Sequence, residues 1–130
     1  MAGAGLSEQN HPQALAYLGD IEMKKTNLDE ALTVLCKAVS EKNDIRLAYI
    51  DMGAVLIQQK QYPEAVAALR RAVELDPAQP DAHYRLGRAY QAMGKATESQ
   101  KEFAKVRELH EKSDEPLSLK ISASPPPLAP

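Results

Sequence analysis

Residues 46–79 read RLAYIDMGAVLIQQKQYPEAVAALRRAVELDPAQ. The first half spaces Tyr49, Met52 and Leu56 so that they share one face of a helix. Lys60-Gln61 interrupts the pattern. A second helical run follows, with Pro63 in its first turn, where a missing N–H leaves no intrahelical partner unserved. Asp76-Pro77 ends it. A break of two residues leaves the helices room only to fold back antiparallel, as a hairpin.

The same hairpin recurs without a gap at a spacing of 34 residues. Leu18-Gly19, Met52-Gly53 and Leu86-Gly87 are in step, as are Ala31, Ala65 and Ser99; Leu35, Leu69 and Phe103; and Ala38, Ala72 and Val106. This divides the chain into an N-terminal extension (1–11), three units (12–45, 46–79 and 80–113) and a tail (114–130). A fixed period of this length means stacked copies of one helical pair, each burying its apolar face against the next. Thr26-Asn27 and Gly94-Lys95 are the other hinges, and Asn27 is placed to cap the helix that Asp29 and Glu30 begin. Gly19, Gly53 and Gly87 fall inside helices, where glycine costs about 1 kcal/mol relative to alanine. A closely approaching helix is the compensating reason, and Ala31, Ala65 and Ser99 are the residues expected to face the glycines.

Leu86-Gly87, Tyr90, Gly94 and Phe103, with Tyr49, Gly53, Tyr62, Ala65, Ala72 and Pro77, resemble the tetratricopeptide repeat pattern. The resemblance covers residues 12–113 and keeps phase across all three units. It implies an all-α, right-handed superhelical solenoid of three helix-turn-helix hairpins, with first helices lining a concave groove and second helices forming the convex back. Unit one departs from the pattern with Leu15 and Glu22 where the family has aromatics, Thr26 for the hinge glycine and Asn43 for the closing proline. Unit three carries Ser99, Val106 and Glu111 where unit two has Ala65, Ala72 and Pro77.

The last helix, from Ala96 to about Glu111, is polar at Gln100, Lys101, Glu102, Lys105 and Arg107, which suits the exposed end of a stack. The front end differs: Leu6 to His11 resembles the close of a preceding unit, leaving an apolar edge at Ala14, Leu18 and Ile21. The expectation is therefore the C-terminal part of a larger scaffold. The tail holds five of the nine prolines and is expected to be extended or disordered. Its Leu117, Leu119 and Ile121, with Lys120 between them, suit a groove in this chain or a neighbour's.

A net charge of -2 argues against nucleic acid as a partner. No stretch approaches the roughly 20 apolar residues of a membrane span, and the opening residues lack a secretory signal, so a cytoplasmic protein is expected. The single Cys36 forms no internal disulfide. His11, His83 and His110 are scattered, and neither a phosphate loop nor metal-ligand spacing is present. No catalytic, cofactor or metal site is expected, and the chain reads as a non-enzymatic binding protein.

The groove is the candidate site. Helical spacing turns inward Gln13, Ala16, Tyr17, Asp20 and Lys24 of unit one, Leu47, Ile50, Asp51, Ala54 and Gln58 of unit two, and Asp81, Tyr84, Arg85, Arg88 and Gln91 of unit three. Tyr17, Ile50 and Tyr84 are read as an apolar track, with Asp20, Asp51 and Asp81 beside it and Arg85 and Arg88 at one end. Chaperone-binding members of the family grip a peptide's terminal carboxylate with Lys, Asn, Asn, Lys and Arg. The positions here that match that clamp hold Ala16, Asp20, Asp51, Asp81 and Arg85, so only the arginine is kept. The partner implied is a protein or peptide segment that is neutral, or basic beside apolar residues, rather than a chaperone C-terminus. Two other readings remain open: self-assembly through the exposed N-terminal edge or the tail, and a regulatory domain of a larger enzyme.

Overall fold

The computed structural model describes the backbone of residues 11–123 and the side chains of residues 11–113. Six helices, and no strand, occur among them: α1 (Pro12–Lys24), α2 (Leu28–Glu41), α3 (Arg46–Gln58), α4 (Tyr62–Leu75), α5 (Pro80–Ala92) and α6 (Ala96–Ala123). They pair as α1–α2, α3–α4 and α5–α6. The pairs stack in chain order into a right-handed solenoid.

Each hairpin closes in the same way. The residue two places after each first helix has a left-handed backbone: Thr26 (φ 64°), Lys60 (φ 63°) and Gly94 (φ 77°). Its N–H returns to Met23, Ile57 or Gln91, while the N–H of the next residue reaches Glu22, Leu56 or Tyr90. This double bond pattern satisfies carbonyls that a helix end leaves open. The residue that completes it, Asn27, Gln61 or Lys95, also accepts the first hydrogen bond of the following helix, from Ala31, Ala65 or Ser99. One residue thus ends one helix and begins the next. Asn27 occupies the cap position but its side chain does not cap: its amide donates to Glu22 at 2.7 Å.

The helical glycines admit a closely approaching helix, the second of the same hairpin, but the residue that meets them differs from the one expected. A Cβ on Gly19 would stand 2.5 Å from Leu35, one on Gly53 2.4 Å from Leu69 Cγ, and one on Gly87 2.6 Å from Phe103. The large residue of the second helix, rather than Ala31 or Ala65, presses on the glycine. Leu35 and Leu69 are fully buried and leave nothing for a methyl group to displace cheaply. Ser99 meets Gly87 by another route, its hydroxyl donating to the Gly87 carbonyl at 2.9 Å.

Two apolar clusters hold the stack together. Leu35 and Ala38 of α2 pack with Ala48 and Val55 of α3; Leu69 and Ala72 of α4 pack with Ile50 of α3 and with Ala82, Leu86 and Ala89 of α5. α3, lying in both, is buried around most of its circumference. The first helices touch one another from hairpin to hairpin, α1 on α3 and α3 on α5, whereas the second helices make far less mutual contact. The array therefore curves with α1, α3 and α5 on the inside.

α6 continues through Ala123, so the segment from residue 114 to residue 123 is helical rather than extended. Leu, Lys, Ile and Ala are compatible with helix, and no glycine stop follows Gly94; Pro116 removes one N–H from the ladder but does not end it. Residues 124–130, with four of the tail's prolines, and residues 1–10 lie outside the described residues.

Candidate functional site

The inner face is built by α1, α3 and α5, and it sorts the sequence candidates into three groups. Tyr17 (63% exposed) and Tyr84 (47%) stand open, and Arg88 is exposed beside Tyr84. Ile50, at 6%, does not join them: it belongs to the core between α3, α4 and α5, so the expected Tyr17–Ile50–Tyr84 track is interrupted. The cause lies in the stacking. Ala16, Ile50 and Tyr84 share one position of the repeat; the first two are covered in clusters reaching the following hairpin, and Tyr84 has no following hairpin among the described residues.

The third group is charged, and its members neutralise one another. Asp81 pairs with Arg46 across the starts of α5 and α3. Asp20 pairs with Lys24 at 2.9 Å. Asp51 is only 3% exposed, and its Oδ2 finds no donor among its neighbours. Burial, and then the hydrogen bond and negative charge of Asp20, push its carboxyl up to about 7, while Arg85 and Lys24 pull it down. The same contact, followed by that of Lys24, holds Asp20 below the usual carboxylate range. Below about pH 7 Asp51 therefore keeps a proton that Asp20 accepts, joining α1 to α3 by a carboxyl–carboxylate bond. Of the three carboxyls expected to line an acidic track, Asp20 and Asp81 are held in ion pairs and Asp51 is buried with a raised proton affinity.

A concavity of about 170 Å³ lies between α3 and α5, lined by Ala54, Ile57 and Gln58 on one side and Tyr84, Arg85 and Arg88 on the other. The Arg88 guanidinium sits 5.9 Å from the centre of the Tyr84 ring and donates to its hydroxyl at 3.0 Å. The Tyr84 ring also leans on Phe103 of α6, centroid to centroid 5.8 Å. The Nε of Arg85 is buried without a partner. Of these six lining residues, Ile57 alone is absent from the inward places read off the sequence, because it falls one residue off the strict helical stripe.

His83 is buried and meets Glu102 of α6 at 2.7 Å, which makes it an internal tie rather than a groove residue. No cluster of three or more His, Cys, Asp or Glu suited to a metal occurs among the described residues, and none of their helices is long and apolar enough to cross a membrane.

A curved stack of antiparallel helical pairs with one open inner face defines an α-solenoid. Family profiles agree with that class: one described as TPR repeat matches residues 53–94, and one described as tetratricopeptide repeat matches residues 81–113. The matched span, residues 53–113, is tetratricopeptide repeat. Solved structures with the same fold include a crystal structure of MamA, with 23% identity over 82% of this chain and 63% of that one and a TM-score of 0.79. Another is the MamA RS-1 ArsTM double mutant, with 28% identity over 81% of this chain and 59% of that one and a TM-score of 0.76. The second TPR of Spaghetti (RPAP3), bound to the HSP90 peptide SRMEEVD, has 19% identity over 82% of this chain and 98% of that one, with a TM-score of 0.74. The present chain thus spans about three fifths of the length of the MamA structures. No curated protein matches it.

Proposed function

We propose that this chain is a non-enzymatic protein-binding module, working in the cytoplasm, that takes a segment of another polypeptide along its inner face. The observation that carries this reading is the concavity between α3 and α5, where Tyr84 is braced by Arg88 and Phe103 yet half exposed. An aromatic ring held rigid, open on one side and flanked by guanidinium groups, is the kind of anchor on which interfaces concentrate their energy. Tyr17 extends the face toward the other end. The residues at the clamp positions favour a neutral segment, or a basic one beside apolar residues. A terminal carboxylate would meet Asp20 and a buried acid instead of amide and ammonium donors. The RPAP3 peptide is that protein's ligand, and its acidic end is the chemistry disfavoured here.

Self-assembly is supported by a separate observation. Leu18 and Ile21 on α1 are 42% and 52% exposed, whereas their equivalents Leu86 and Val55 are 2% and 0% exposed beneath the preceding hairpin. This is a face shaped to receive another helical pair.

The test is selection of peptides from a displayed library, with affinities read by fluorescence anisotropy. Binding near micromolar corresponds to about -8 kcal/mol, and Tyr84→Ala with Arg88→Ala is expected to weaken it about tenfold or more at unchanged helix content. Equal affinity for the wild type and this double variant would remove the inner face as the site. Sedimentation over a range of concentrations separates the self-assembly reading.

A further inference from the structure

The curvature that brings α1, α3 and α5 together splays the second helices, and between α2 and α4 it leaves a cleft of about 490 Å³ on the convex side. Leu32 and Cys36 of α2, Tyr49, Met52 and Leu56 of α3, and Ala67 and Ala68 of α4 line it, with Gln61 and Glu64 at the edge. The repeat supplies its own comparison. Counted 34 residues on, Cys36 becomes Arg70, Leu56 becomes Tyr90, Tyr49 becomes His83 and Ala68 becomes Glu102. At that second junction the Arg70 guanidinium lies 6.0 Å from the centre of the Tyr90 ring and donates to its hydroxyl, while His83 meets Glu102 at 2.7 Å. Side chains of the protein itself bridge that position. At the first junction Cys36, Leu56 and Ala68 make no such bridge, Tyr49 donates its hydroxyl to the Asn43 carbonyl at 3.0 Å rather than to α4, and the cleft stays open with a largely apolar lining.

We propose that the cleft between α2 and α4 is a binding site for a compact, largely apolar small molecule without negative charge, seated on Leu32, Met52 and Leu56 beside Cys36. Its volume lies within the roughly 300–1,000 Å³ typical of ligand pockets, and apolar walls with one or two polar groups at the mouth are the usual composition of such pockets. The charge preference follows from Glu64, the one ionisable carboxylate at its edge. The site is on the opposite side of the array from Tyr84 and does not depend on the inner face binding a peptide.

Cys36, the single cysteine of the chain, is exposed at the cleft, and partial burial raises its thiol above the ordinary value. It serves as the reporter. With N-phenylnaphthylamine as a neutral apolar probe, a saturable rise in fluorescence is expected, together with slower maleimide labelling of Cys36. At ten times the probe's dissociation constant the free fraction falls to about one eleventh, so labelling should slow about tenfold. Cys36→Leu, and independently Ala67→Met from the α4 side, should fill the cleft and abolish probe binding with helix content retained. Tyr84→Ala should leave it unchanged. The proposal is overturned by an absence of saturable binding, by unprotected Cys36 with probe bound, by undiminished binding in the folded filled variants, or by loss of binding in Tyr84→Ala.

Discussion

Thr26, Lys60 and Gly94 occupy equivalent places and share a left-handed backbone, yet only the third is glycine. For a residue with a side chain this conformation costs about 1 kcal/mol, and a β-branched residue such as threonine tolerates it least. Lys60→Gly, and Thr26→Gly more so, should raise stability by about 0.5–1 kcal/mol after allowing for glycine's greater freedom when unfolded. Urea unfolding of each variant checks this, and a lower midpoint would count against the assigned strain. All three hinges are placed by the repeat, but only the glycine at residue 94 announces the left-handed backbone in the sequence. Thr26 and Lys60 give no such sign, since their conformation is imposed by the need to bond the carbonyls of Glu22 and Leu56. Ile50 teaches the converse. Its repeat position was legible, but exposure at that position depends on whether another hairpin follows, which a single unit's pattern does not encode.

At the scale of elements, α1 and α3 are joined across the inner face by the Asp20–Asp51 pair, and this tie is sensitive to pH. The groups that bear on it are Lys24 on α1 and Arg85 on α5. Because Asp51 in the folded protein releases its proton only near pH 7, against an ordinary value of 3.8, the folded chain holds a proton that the unfolded chain gives up. Its stabilising contribution is complete below about pH 4, declines as the pH rises, and is lost once the pH passes about 7. The depressed Asp20 acts in the opposite sense at the acid end and offsets part of this. Asp51→Asn keeps a donor toward Asp20 without a titrating group. It should be more stable than wild type by about 1–3 kcal/mol at pH 8, with the difference shrinking toward pH 5. Parallel pH profiles for the two proteins would refute the shared proton. Helix positions were legible because caps, prolines and apolar spacing are local signals. The ion pairs Arg46–Asp81 and Asp20–Lys24 were not, because charged residues on a helix look alike in sequence whether they meet solvent or one another.

For the molecule as a whole, stability in a stacked array is the sum of each hairpin's own terms and its contacts with neighbours. α3 and α4 have a hairpin on either side and contain Val55, Ala65, Leu69 and Ala72 at 0% exposure, whereas Ala16 and Gly19 are the only buried residues of α1. Amide hydrogen exchange should therefore be slowest in α3 and α4 and fastest in α1, with Leu18 and Ile21 at its open edge. Uniform protection across the helices would mean that the array unfolds as a single unit. The 34-residue repeat carried nearly all of this architecture in the sequence. The clefts between second helices were out of reach because they arise from curvature, a property of several hairpins together. Curvature also bears on how the array can flex. Asn27, Gln61 and Lys95 each complete one helix and open the next, leaving no spare link at the elbow, so a hairpin has to move as a stiff lever. Bending is then confined to the seams at Ile45 and Gln79, where the backbone is extended, and the inner face widens or narrows by levers tilting past one another while each keeps its own angle.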